Sequence, residues 1–262
     1  MFLPFQRPYH GAWVTTFLAG RAIAGVESVV GPHYRRRLTG GAWVEAELTD
    51  HGLRVDVPAT GTAAVDAHKR LRRLFDLDAP AAAIDAHLAE YPALANRVGG
   101  FRGIRVPGFW DAFEGAVRAI LGQQVSVSRA TVLAAALCER FGGGLFPSAE
   151  ALARADVASI GMPGTRGRAV SKVAERVADE GDAWLKTPDT LRSGFADIPG
   201  IGPWTTEYTA MRVARDPDAF PDTDWGVFKA LGCKGRVARE WAEPCRPWRA
   251  YATMVLWAAR SE

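Results

Sequence analysis

Cysteine is scarce in this chain of 262 residues: Cys138, Cys233 and Cys245 stand far apart. So few exclude a disulfide framework, and their spacing matches neither a zinc nor an iron–sulfur pattern. Long apolar runs are missing too. The longest, such as Ala130–Cys138, fall well short of the roughly 20 residues a bilayer span requires. The opening Met1-Phe2-Leu3-Pro4 lacks the charged and apolar regions of a signal peptide. A reducing cytoplasm is therefore the expected compartment. No Gly-x-Ser-x-Gly and no metal-ligand motif is present, which argues against a general hydrolase. The histidines, His10, His33, His51, His68 and His87, are scattered through the first part and form no cluster. Charge of one sign is not in large excess either: 32 basic minus 29 acidic residues gives +3. That balance permits a nucleic-acid partner without arguing for one.

What is present is the composition of a globular protein, 48% hydrophobic and 23% charged, enough for one or two domains. Nine tryptophans are many, and their positions matter more than their number. Helical spacing runs over Trp13–Ala24, with Trp13, Phe17, Leu18 and Ala22 on one side. Alternation predicts strands at Val26–Val30, Trp43–Leu48 and Leu53–Val57, with turns at Gly40-Gly41 and Asp50-His51-Gly52. A helix follows from Gly61, presenting Val65, Leu71, Leu74 and Phe75. Within it, Lys69-Arg70-Leu71-Arg72-Arg73 reads as a solvated basic face. After a Pro- and Gly-rich break over Tyr91–Pro107 the pattern becomes helical and stays so. The reading is an α+β chain: residues 1–98 form an antiparallel sheet with helices, and residues 99–262 an all-helical core.

Two stretches carry chemistry. Ile198-Pro199-Gly200-Ile201-Gly202-Pro203-Trp204-Thr205 is an apolar-Pro-Gly-apolar-Gly turn between two helices. Its glycines permit positive φ and close approach. Backbone N–H groups at the start of the next helix can then face a phosphate, gripping a DNA backbone without reading bases. An ordinary tight turn is the alternative. The second stretch is Pro221-Asp222-Thr223-Asp224-Trp225-Gly226-Val227. Asp224 stands at a helix start, where it can cap, and Asp222 could serve as the cap instead.

Hairpin and acid together resemble the helix–hairpin–helix DNA glycosylases, and within them the AlkA-type 3-methyladenine DNA glycosylase II family. The resemblance covers nearly the whole chain. It rests also on Phe17-Leu18-Ala19-Gly20-Arg21-Ala22, Arg73-Leu74-Phe75-Asp76-Leu77, Arg105–Glu114, Ala119–Val127 and Arg246-Pro247-Trp248-Arg249-Ala250-Tyr251. It implies base-excision repair of alkylated double-stranded DNA: hydrolysis of the N-glycosidic bond of 3-methyladenine, 7-methylguanine or related bases, leaving an abasic site.

The resemblance also implies roles. Asp224 aligns with the catalytic aspartate, which stabilises an oxocarbenium-like sugar. Asp222 stays open as an alternative, because one more residue separates proline and acid than in the best-known form of the family. Phe17, Trp204, Tyr208, Trp225 and Trp257 would surround the extruded base, while Trp13, Trp43, Trp110, Trp184, Trp241 and Trp248 are read as packing residues. Gln124 would fill the gap in the stack, and Gln123 would contact the adjacent base-pair edge. Pro199, Gly200, Ile201 and Gly202 would hold the DNA backbone. A Na+ or K+ ion could sit on the carbonyls of Ile198 and Ile201 when DNA is bound, and no organic cofactor is implied. Bifunctional relatives carry a lysine where this chain has Trp204, so a nucleophilic amine is missing and a monofunctional enzyme is expected. The four closely spaced C-terminal cysteines of cluster-bearing relatives are missing as well. A monomer is the family expectation. The rivals are a non-catalytic lesion-binding protein of the same fold and a glycosylase for deaminated or oxidised bases.

Overall fold

A computed structural model describes residues 1–58 and 60–259. Its first part is a five-stranded antiparallel sheet in the order β1-β5-β4-β3-β2. The strands are β1 (Phe2–Pro4), β2 (Glu27–Val30), β3 (His33–Arg37), β4 (Trp43–Leu48) and β5 (Gly52–Asp56). Gly31, at φ +57°, turns β2 into β3, and Gly40 and Gly41, at +91° and +89°, turn β3 into β4. These are left-handed values that favour glycine. Alternation buries Val44, Ala46, Leu53 and Val55 on one face. Two helices cover that face: α1 (Gly11–Ala19), and α2 (Gly61–Leu74) through Ala67, Leu71 and Leu74.

Two strands, β1 and β3, are not apparent in the residue pattern. β3 reads as polar because its inward positions are Tyr34 and Arg36. Arg36 can point inward because carboxylates meet it there: it donates to Glu114 at 3.1 Å and to Glu27 at 3.4 Å. Arg118 bonds the same two acids at 2.8 Å each. Buried charge is tolerated only when so paired. Val65, expected on the buried face of α2, is 52% exposed.

Helices make up the rest: α3 (Ala81–Ala89), α4 (Pro92–Gly100), α5 (Ala112–Leu121), α6 (Val127–Gly142), α7 (Ala149–Ala153), α8 (Gly164–Glu180), α9 (Pro188–Ala196), α10 (Pro203–Arg212), α11 (Trp225–Leu231), α12 (Arg236–Ala242) and α13 (Arg249–Ala258). Side-chain oxygens start several of them: Asp111 caps α5, Ser126 caps α6 and Ser148 caps α7. Residue 98 falls within α4, which begins on Pro92 inside the stretch that reads as a break. That helix packs against α13.

The helical core and the sheet share α1. Val14 and Leu18 join the sheet's apolar cluster, while Phe17 joins the helical one. The basic run of α2 seals the same seam instead of lying wholly in solvent. Arg70 reaches Asp66 at 2.7 Å, Asp111 at 3.1 Å and the Trp110 carbonyl at 3.1 Å. Arg73 donates to the Val213 carbonyl at 3.1 Å. Among the described residues no helix is long and apolar enough to cross a membrane.

Candidate active site

A cavity of about 1390 Å³ opens where α1, the loop after α5, the turn before α10, the start of α11 and α13 converge. Three of these elements begin or end there because their sequences demand a break. Gly200 takes φ +92°, and a Cβ on it would also come within 3.4 Å of Ala169 Cβ and the Thr165 carbonyl. The turn closes with Ile201 N donating to Ile198 O at 3.2 Å, and Pro203 then opens α10. The amides of that first turn lack intrahelical acceptors, as at any helix start.

Asp224 lines the same cavity as the cap of α11, 8% exposed. Its Oδ1 accepts from Val227 N at 3.0 Å and from Trp257 Nε1 at 2.9 Å. Its Oδ2 accepts from Trp204 Nε1 at 2.9 Å. An ionised carboxylate is acceptor-only, so all three bonds suit it. Capping and a second role therefore coexist: one bond starts the helix, and two fix the carboxylate against aromatic rings. Asp222 does something else. It pairs with Arg239, its carbonyl accepts from Gly235 N at 2.9 Å, and it does not line the cavity.

The aromatic residues form a chain along the wall. Trp204 and Tyr208 stack with centroids 5.0 Å apart, Tyr208 and Trp257 lie 6.2 Å apart, and Phe17 and Trp257 lie 6.3 Å apart at 8°. Phe17 is in turn 5.4 Å from Trp13. Trp13, read from sequence as packing, thus borders the cavity. Trp225 stands at the rim, 62% exposed. Gly226 admits Trp257 to the carboxylate: a Cβ there would come within 2.7 Å of the Trp257 ring and 2.8 Å of Asp224 Oδ1.

Gln123 and Gln124 point in different directions of purpose. Gln123 Nε2 donates to the Gly200 carbonyl and to Thr205 Oγ1, each at 2.9 Å. Its amide thereby ties the loop after α5 to the hairpin. Gln124 is exposed at the cavity mouth with φ +55°, a left-handed conformation that costs a non-glycine residue about 1–3 kcal/mol.

Two cations of the site escape sequence reasoning. Arg21 stacks on Phe17 with its guanidinium carbon 3.6 Å from the ring centroid. Arg212 lies 4.8 Å from the same centroid, donates to the carbonyls of Pro107 and Gly108, and bonds the Tyr208 hydroxyl. Burial pushes Arg212 down to about 10. Burial alone would raise the Tyr208 phenol, but Arg212 and Arg21 prevail and hold it below the usual value. The signal for Arg212 was its i,i+4 step from Tyr208, which places the pair on one face of α10. Arg21 lies just beyond the end of α1 and folds back to donate to the Phe17 carbonyl at 3.2 Å.

Comparison with known proteins is consistent along the chain. The AlkA N-terminal domain matches residues 1–111, and the HhH-GPD superfamily base excision DNA repair protein matches residues 117–240. DNA-3-methyladenine glycosylase 2 of Escherichia coli (strain K12) is 34% identical over 277 residues, spanning 97% of this chain and 95% of that protein. The probable bifunctional transcriptional activator/DNA repair enzyme AlkA of Mycobacterium tuberculosis (strain ATCC 25618 / H37Rv) is 37% identical over 281 residues, 97% of this chain but 56% of its own length. The solved structure of 3-methyladenine DNA-glycosylase from Archaeoglobus fulgidus shares the fold with a TM-score of 0.84 at 20% identity, covering 100% of this chain and 98% of that one. The chain therefore belongs to the HhH-GPD superfamily of base-excision DNA repair proteins, in the branch that carries the AlkA N-terminal domain.

Proposed function

We propose that this protein is a monofunctional DNA glycosylase that removes alkylated bases from double-stranded DNA. One observation carries the reading: a buried carboxylate, Asp224, is held by two indole N–H groups on the wall of an aromatic cavity. An alkylated purine such as 3-methyladenine is cationic, so its glycosidic bond is already weak. As that bond breaks, its electron pair leaves with the base and positive charge gathers on the sugar. Asp224 stabilises that charge from a position fixed before the reaction begins. Water adds at the sugar carbon and loses a proton, which leaves an abasic site and an intact strand. By the family resemblance Trp204 stands where a strand-nicking relative would carry a nucleophilic lysine, and its indole instead donates to the carboxylate.

The rings of Phe17, Tyr208 and Trp257 offer stacking for a base turned out of the duplex, worth about 0.5–2 kcal/mol per ring for a cation. Trp225 at the rim would meet it on entry. Gln124 would fill the vacated space, since it is exposed on the loop facing the hairpin. Pro199 to Gly202 would hold a phosphate. The carbonyls of Ile198 and Ile201 suit a Na+ or K+ ion, because Ile198 O accepts only one bond within the turn among the described residues. The protein would act as a monomer.

A second reading, excision of deaminated or oxidised bases, draws on Arg21, whose guanidinium lines the same cavity and can donate to a carbonyl edge. Incubation with methylated duplex and with duplex containing hypoxanthine, followed by chromatography of the released bases, separates the two. Release of 3-methyladenine with strands left uncut until alkali treatment supports the first. Release of hypoxanthine alone supports the second, and binding without release would leave the non-catalytic rival.

A further inference from the structure

The helix that Asp224 caps has an outward face that begins at the cavity rim and continues beyond it. Gly226 and Val227 turn inward, while Trp225 and Phe228 turn outward at 62% and 37% exposure. These two are three positions apart and so share one helix face. Each ring has a lysine beside it: Lys229 Nζ is 5.0 Å from the Trp225 centroid, and Lys234 Nζ is 5.9 Å from that of Phe228.

The sequence builds this arrangement deliberately. Gly232, at φ +73°, stops α11 in a left-handed cap, and its N–H donates to the Phe228 carbonyl at 2.7 Å. The chain then folds back, bringing Lys234 over Phe228. Gly235 N donates to the Asp222 carbonyl, and Arg239 pairs with the Asp222 carboxylate. Asp222 thus acts as the clasp that closes the segment from residue 222 to residue 239. Nearby basic residues are neutralised, Arg236 by Glu240 and Arg239 by Asp222. Lys229 and Lys234 form no ion pair among the described residues.

We infer that Trp225, Phe228, Lys229 and Lys234 form a docking platform for the DNA strand beside the extruded nucleotide. The rings would take an apolar sugar or base face, and the lysines would take its phosphates. Two features single out DNA as the occupant. The platform is continuous with the catalytic cavity, since Trp225 belongs to both. Its unneutralised charge is positive, as a polyanion requires. The hairpin then grips on one side of the site and the platform on the other, so an extruded nucleotide is held from both flanks. This inference rests on the DNA glycosylase reading.

The test is the salt dependence of binding to a labelled duplex containing a tetrahydrofuran abasic-site analogue. Wild-type protein is compared with the double variant Lys229→Gln/Lys234→Gln, with Lys229→Arg/Lys234→Arg and with Phe228→Ala. Each phosphate contact contributes about 0.9 to the slope of log affinity against log salt, so the glutamine variant should lose roughly 1.8. The arginine variant should keep the wild-type slope. Phe228→Ala should weaken binding severalfold with little change in slope. A glutamine variant that binds with the wild-type slope overturns the platform. If wild-type protein itself shows no salt-dependent binding, the DNA reading fails instead. A wild-type protein that self-associates, and loses this in Phe228→Ala while the slopes agree, assigns the face to a second copy and overturns the platform. Thermal melting of each variant shows whether it is folded.

Discussion

Gln123 Nε2 lies 2.9 Å from the carbonyl oxygen of Gly200, 77 residues away in sequence, and the same amide reaches Thr205 Oγ1. One side chain therefore joins the loop that carries Gln124 to the turn that would hold the DNA backbone. A hairpin seated on a phosphate would set the height at which Gln124 enters the stack. Gln123→Met keeps the length of the side chain and loses both bonds. At about 1 kcal/mol per bond, extrusion of the target should fall roughly 10- to 30-fold. 2-Aminopurine fluorescence beside the lesion reads that extrusion. Affinity for undamaged duplex should stay near wild type, because the hairpin itself is untouched. A uniform loss on both duplexes would reduce Gln123 to a stabilising contact.

The indole donors to Asp224 can be tested without removing the rings. Trp257→Phe deletes one N–H while leaving an aromatic face. A hydrogen bond to a charged group contributes about 1.5–3 kcal/mol, so single-turnover release should slow by roughly 10- to 100-fold. Trp204→Phe should behave alike, since its bond has the same length. Rates unchanged in both variants would mean that the carboxylate needs no such support.

Gly226 is small because Trp257 crosses it. Gly226→Ala would put a methyl 2.7 Å from the indole and 2.8 Å from Asp224 Oδ1. The ring must move, at a cost of about 1–3 kcal/mol in stability. Chemical denaturation should show that loss together with a fall in activity. A stable and active alanine variant would contradict the packing described.

Tyr208 should ionise before the other buried tyrosines. Arg212 and Arg21 hold it low despite burial, whereas burial pushes Tyr9, Tyr34 and Tyr251 up. A folded value below the unfolded one means that ionised Tyr208 adds stability above the unfolded phenol range. That contribution disappears as pH falls through the folded value. Ultraviolet titration of phenolate should show one early step, missing in Tyr208→Phe. An unchanged titration in that variant would assign the early step elsewhere.

Much of this was legible in the residues, and the exceptions have physical causes. The fold class follows from alternation at Trp43–Leu48 and Leu53–Val57 and from helical spacing after residue 107. Strand β3 escapes because an inward arginine breaks the alternation, and Glu27 together with the distant Glu114 makes Arg36 tolerable there. Helix α4 escapes because Tyr91-Pro92 and Gly99-Gly100 read as a break, although proline is well suited to a first helical turn. At the site, Asp224 and the rings were named from motif resemblance, and the structure brings them together around one cavity. The motif could not show that Asp222 turns away to Arg239, because that partner lies on another helix. Nor could it show where the Gln123 amide goes, since its acceptors come from the hairpin.

Asp224 is assigned as the carboxylate that stabilises the sugar cation, and Asp222 as a clasp. Base release from methylated duplex by Asp224→Asn and Asp222→Asn, set against wild type under single-turnover conditions, tests this assignment most directly. Losing a preorganised electrostatic group costs on the order of 100- to 1000-fold in rate, so Asp224→Asn should lose at least that much while still binding the duplex. Asp222→Asn should retain release within roughly 10-fold, with its deficit appearing in stability because a buried ion-pair partner is lost. Wild-type rates from Asp224→Asn, or a larger loss from Asp222→Asn in a folded protein, would reverse the two roles.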